Sequence, residues 1–101
     1  HVVQPVERIG DEVIVYGMGN FLSGQVFPRT RDGVIVTLDL VERPTGGFAV
    51  AEVTVTPTWV EPASYRILLA EDAAGGEPAA ACHRTADAVR SLGAPVVVSG
   101  C

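Results

Sequence analysis

The residues of this chain best suited to chemistry are His1, Asn20, Arg29 and Arg31. An imidazole nitrogen such as that of His1 is a good ligand for zinc, manganese or iron, and a two-metal centre can hold a phosphate and activate a water. Metal binding needs several convergent ligands, and His1 is one candidate. Asn20 follows Gly17-Met18-Gly19. Its amide is suited either to binding a ligand or to holding a bend by bonding nearby backbone. Arg29 and Arg31 flank Thr30, and guanidinium groups make paired hydrogen bonds to carboxylate or phosphate oxygens. His83 beside Cys82 lacks further ligands and reads as no metal site. Trp59 reads as a packing anchor, with polymer stacking the rarer role, and Phe21 reads as core. Gly17 and Gly19 lack the third glycine and following helix of a dinucleotide loop, and no G-x-S-x-G nucleophile elbow occurs.

Composition narrows the partners. The 101 residues suit one domain or part of one, and 48% hydrophobic content is enough for a core. The formal charge is −5, and all seven basic residues are arginine. Nucleic acid is therefore not an expected partner, and there is no polybasic membrane patch. The opening residues read as the middle of a protein, so the chain is expected to be a segment of a longer one. Cys82 and Cys101 lack C-x-x-C spacing. They form one bridge if the protein is exported, or remain two thiols.

The elements that must position these residues are mostly strands, and the expected fold class is α+β: antiparallel hairpins with one C-terminal helix. Residues 2–8 and 12–16 alternate around Ile9-Gly10-Asp11, which predicts a hairpin. Residues 17–20 bend, and residues 25–31 form a loop containing Pro28. Asp32-Gly33 is a turn signal opening a strand over 34–42, with Val34, Val36, Leu38 and Leu40 on one face. Pro44-Thr45-Gly46-Gly47 reverses the chain into a strand over 48–56, and residues 65–70 are a short strand. Residues 71–77 read as a linker. A helix is expected over 78–92, with Pro78 in its first turn, a stripe through Ala79, Cys82, Ala86, Val89 and Leu92, and Gly93 beyond its end. Residues 96–98 are a possible closing strand.

Two segments carry a family resemblance. His1-Val2-Val3-Gln4-Pro5-Val6-Glu7, then Val13-Ile14-Val15-Tyr16-Gly17-Met18-Gly19-Asn20-Phe21, is similar to the pattern G-H-H-P-H-V-x-Q-P, hairpin, Y-S-L-G-N-F. That pattern belongs to bacterial capsule-synthesis proteins of the poly-gamma-glutamate (CapA-type) family, in the calcineurin-like metallophosphoesterase superfamily. Arg31-Asp32-Gly33-Val34-Ile35-Val36, residues 53–60 and Tyr65-Arg66-Ile67 resemble later strands of the same family. The sequence departs from it at Gly17-Met18, where Ser-Leu is usual, and residues 71–101 carry no family motif.

The resemblance implies that residues 1–70 are the C-terminal β portion of an α/β/β/α sandwich; residues 71–101, outside it, read from their own pattern as a linker, helix and short terminal strand. It implies His1 as a metal ligand and Asn20 as a catalytic-site residue; Arg29 and Arg31 are, from their own chemistry, the candidate contacts to an acidic polymer or phosphate-containing substrate. The implied cofactors are divalent metal ions, with manganese, zinc or iron fitting. The implied setting is a bacterial cell envelope or extracellular space, alongside membrane-associated synthesis machinery. Two readings follow for the parent protein: a metal-dependent hydrolase, or a non-catalytic polymer-binding or assembly component on the same fold. A plain structural β-module is the third.

A catalytic metal site commonly needs about three protein ligands. The purified 101-residue chain is therefore expected to show no metal-dependent hydrolysis of phosphoesters or polyglutamate. Turnover that survives removal of contaminants contradicts this.

Overall fold

In the computed structural model, residues 1–72 and 75–101 are described. The fold is α+β: antiparallel hairpins and a single helix. β1 (Val6–Ile9) and β2 (Glu12–Val15) form the first hairpin. It turns at Gly10, whose φ of 60° is the left-handed value that a tight reversal requires. The hairpin is longer than its ladder, because the Gln4 N–H donates to the Gly17 carbonyl and Val3 bridges Met18.

β3 (Asp32–Glu42) and β4 (Phe48–Val60) make the second, longer hairpin. Its ladder runs from Asp32↔Trp59 to Glu42↔Phe48, with a bulge at Ala51 where Asp39 faces Glu52 and Leu40 faces Val50. β4 is central. One edge takes β3; the other takes β6 (Val97–Val98) in parallel at Thr54 and Val55, and β5 (Ile67–Leu69) at residues 58–60. The strand was expected to end at Thr56, yet β4 continues through Pro57, which has no N–H to donate. Val34, opposite Pro57, sends its own N–H away from β4 to the Met18 carbonyl. Val34↔Pro57 is thus a non-hydrogen-bonded pair, and the Pro57 nitrogen faces the gap between β6 and β5, where the ladder loses nothing.

The core lies on one face of the β3–β4 sheet. Val34, Val53 and Val55 meet Val6 from the first hairpin, with Val89 and Val96 from the C-terminal part of the chain. The helix α1 (Gly76–Arg90) buries Ala81, Cys82, Thr85, Ala86 and Val89. It begins two residues before the expected start and ends at Arg90, so Leu92 falls outside the stripe and is exposed. A 3-10 turn, Ala70–Asp72, takes the last residue of the expected strand over 65–70 and the first two of the expected linker over 71–77, of which residues 73 and 74 lie outside the described residues. A second 3-10 turn, Pro28–Arg31, sits inside the expected loop.

The distal half of the second hairpin leaves the core. The molecule is long, 51 × 21 × 19 Å, and Leu38 and Leu40, expected on the buried face, are exposed along with Val41 and Phe48. Their alternation is as expected, but the core packing of the first hairpin and α1 is on the proximal half; farther out the first hairpin reaches the second through Arg8, which donates to the Val50 carbonyl at 2.9 Å, and Asp11, which pairs with Arg43 at 3.0 Å. Phe21, expected in the core, is also exposed. Trp59 is buried as expected. Among the described residues, no helix is long and apolar enough to cross a membrane.

Cys82 on α1 and Cys101 form a disulfide, with Cα atoms 5.7 Å apart. It closes a 19-residue separation over the helix end and β6. In chain-entropy terms such a loop is worth about 3 kcal/mol.

A buried ion pair ties the helix to the sheet. Asp32, 3% exposed, accepts two hydrogen bonds from Arg84, Nε and Nη2, each at 2.8 Å. Replacing Arg84 with Met strands a buried carboxylate without its partner. Urea denaturation is expected to show a loss of about 3 kcal/mol. A variant as stable as the parent chain contradicts the coupling.

Candidate functional site

The chain crosses itself closely where the first hairpin meets β3. Val3 bridges Met18, Gly19 bridges Gly33, and the Asn20 N–H donates to the Asp32 carbonyl at 3.2 Å. Gly33 is needed here: a Cβ on it would lie 2.8 Å from the Asn20 carbonyl oxygen and 2.9 Å from Thr58 Oγ1. Gly19 combines a φ of 71° with the Asp32 backbone on one side and Val3 on the other. Gly19, read from sequence as part of a bend, and Gly33, read as a turn signal, are therefore also the space in which two strands pass.

This crossing places His1 beside Asn20. Pairing of Val3 with Met18 carries the first hairpin's register on to these two residues, and His1 Nδ1 lies 3.5 Å from Asn20 Oδ1. That separation exceeds the usual hydrogen-bond length, so the imidazole nitrogen and the amide oxygen are neighbours rather than a tight pair. The other end of the Asn20 amide is committed. Its Nδ2 donates to Gln25 Oε1 at 2.8 Å and to the Thr30 carbonyl at 3.0 Å. Asn20 thus pins the loop between the two hairpins and presents its oxygen towards the imidazole. The sequence left two roles open for this amide, binding a ligand or holding a bend, and the two bonds of its nitrogen show the second.

The two arginines are separated. Arg29 lines a cleft of about 300 Å³ together with Val2, Val3, Asp32, Arg84 and Thr85. Arg31 donates from Nε to the Gln25 carbonyl at 3.1 Å and lines a smaller cleft of about 190 Å³ with Tyr65 and Glu61. They do not form one paired grip. His83 is exposed on α1.

Sequence reading missed Asp32 and Arg84. Asp32 read as a turn residue, and its partner lies 52 positions away, where no local pattern points to it. The hydrogen bond to Asp32, reinforced by the charges of Asp32 and Glu77, raises the Arg84 guanidinium above its usual value, so it stays charged throughout the working range of proteins. On the first hairpin, the Tyr16 phenol donates to Glu7, and this bond to a carboxylate raises its pKa.

Two donors fall short of the three protein ligands a catalytic metal usually takes. Among the described residues, no three His, Cys, Asp or Glu side chains converge as a metal site.

The comparisons with known proteins give a partial match. Over 55 residues, 54% of this chain, the sequence is 38% identical to the PGA biosynthesis protein CapA of Bacillus subtilis (strain 168). The chain spans 14% of the length of that relative. No family model matches the chain, and no solved structure matches it. The class this defines is an α+β fragment of antiparallel hairpins and one helix. Within it lies a CapA-like segment.

Replacing Asn20 with Ala removes both donated bonds and leaves the Thr30 carbonyl and Gln25 side chain without them. Hydrogen exchange is expected to show faster exchange across residues 21–31, with β3 and β4 protected as before. Unchanged protection in that loop contradicts the pinning role.

Proposed function

We propose that this chain is the strand-rich segment of a bacterial capsule or poly-gamma-glutamate biosynthesis protein with a metal-dependent hydrolase-type site. In this reading His1 and Asn20 contribute to a site completed by residues beyond the chain. The observation that carries the proposal is the 38% identity over 55 residues to the PGA biosynthesis protein CapA. The adjacency of His1 Nδ1 and Asn20 Oδ1, which joins the two segments carrying the resemblance, supports it. The divalent metal, an acidic polymer substrate and contact with envelope synthesis machinery belong to the same proposal. The Cys82–Cys101 disulfide supports placing the protein in the cell envelope or outside the cell, since oxidising compartments retain such bonds.

The test is a chimaera. The matching stretch of Bacillus subtilis CapA is replaced by that of this chain, in a strain lacking its own copy. The chimaera is expected to restore polymer output, and changing His1 to Ala within it to abolish that output with the protein still accumulating. A chimaera that accumulates but yields no polymer contradicts the proposed role. Output unaffected by the His1 change removes His1 from the site.

A further inference from the structure

The cleft beside α1 has a charge pattern suited to one kind of small ligand. Its walls carry Arg29, Arg84, Asp32 and Asp87, and its floor is apolar through the N-terminal segment and Ala88. Two of the four charges are already used: Arg84 is held by both carboxylate oxygens of Asp32 and lies 3.6 Å from Glu77. Arg29 and Asp87 make no ion pair among the described residues, and both are exposed. The hydroxyl of Thr85, 1% exposed and also in the cleft wall, has no hydrogen-bond partner among the described residues. Buried hydroxyls normally find one, so this wall carries an unspent polar group.

We propose that this cleft binds a small zwitterion through its carboxylate and its protonated amine: a free α-amino acid or the terminal residue of a peptide. Arg29 takes the carboxylate in paired hydrogen bonds. Asp87 takes the ammonium group. The volume of about 300 Å³ is at the small end of ligand pockets and suits one or two amino-acid residues. A phosphate fits poorly. It would bring two negative charges to a cleft with one free cation and a free carboxylate close by, and Arg84 is already neutralised by Asp32 and Glu77. The binding site is separate from His1 and Asn20, neither of which lines the cleft, and does not rest on the function proposed above.

The experiment is calorimetric titration of the full polypeptide carrying these residues with L-alanine, dialanine, alaninamide, N-acetylalanine and inorganic phosphate. Either L-alanine or dialanine is expected to bind. Alaninamide, lacking the carboxylate, and N-acetylalanine, lacking the amine, are each expected to bind about tenfold more weakly, as one charged hydrogen-bonding contact is lost. Arg29→Gln is expected to weaken the zwitterion about tenfold and to erase the penalty on alaninamide. Asp87→Asn is expected to erase the penalty on N-acetylalanine. Both residues are exposed, and circular dichroism confirms that the variants fold. Binding of L-alanine alone identifies a free amino acid as the source, and binding of dialanine alone identifies a chain end. Phosphate binding as tightly as either, no binding by either, or variants that leave the affinities unchanged overturns the proposal.

Discussion

Asp32 is the residue on which the arrangement depends. It opens β3, pairs with Trp59 of β4, and its carbonyl accepts the Asn20 N–H. Its side chain is buried and gripped twice by Arg84 of α1. One residue thus fixes the sheet, the helix and the loop that carries Asn20 relative to one another. A buried carboxylate is costly unless it is paired and fully hydrogen-bonded, so its surroundings cannot shift independently. That constraint is local to the end of the molecule where the strands cross; the far half of the β3–β4 hairpin has no comparable anchor.

The same end holds the neighbouring His1 and Asn20 side chains. The first hairpin passes β3 at Gly19 and Gly33, and only residues without a Cβ let the two backbones approach so closely. The close passage sets Asn20 in line with β3 and lets the hairpin register bring His1 next to it. Tertiary structure here converts a separation of 19 residues into a side-chain distance of 3.5 Å. The Asn20 nitrogen is spent on structure, and its oxygen faces the His1 imidazole.

Much of this was legible in the residues themselves. Both hairpins follow from glycines at turns: Gly10 in the first, and Gly46 and Gly47, with φ of 100° and 73°, in the second. The antiparallel pairing that carries Val3 to Met18 and His1 to Asn20 follows from the first of these. Other features depended on distant partners. The expected strand stopped at Thr56, but β4 runs on through Pro57, whose nitrogen faces a gap between two neighbouring strands that no local pattern reveals. Leu38, Leu40 and Phe21 have core composition, and their exposure depends on which elements reach them. Arg84 looked like one more charged helical residue until Asp32 was placed opposite it. The match over 55 residues to a PGA biosynthesis protein bears on the parent's role, and the chemical role of His1 rests on the proposal.

The most direct test of the central claim, that His1 and Asn20 serve one site, is paramagnetic broadening in the full-length protein. Its His and Asn side chains are isotopically labelled and manganese is titrated in. The His1 imidazole and the Asn20 amide are predicted to broaden together at the lowest metal additions, with His83 on the exposed face of α1 unaffected. Broadening of His83 to the same degree, or none at His1 and Asn20, would contradict the account.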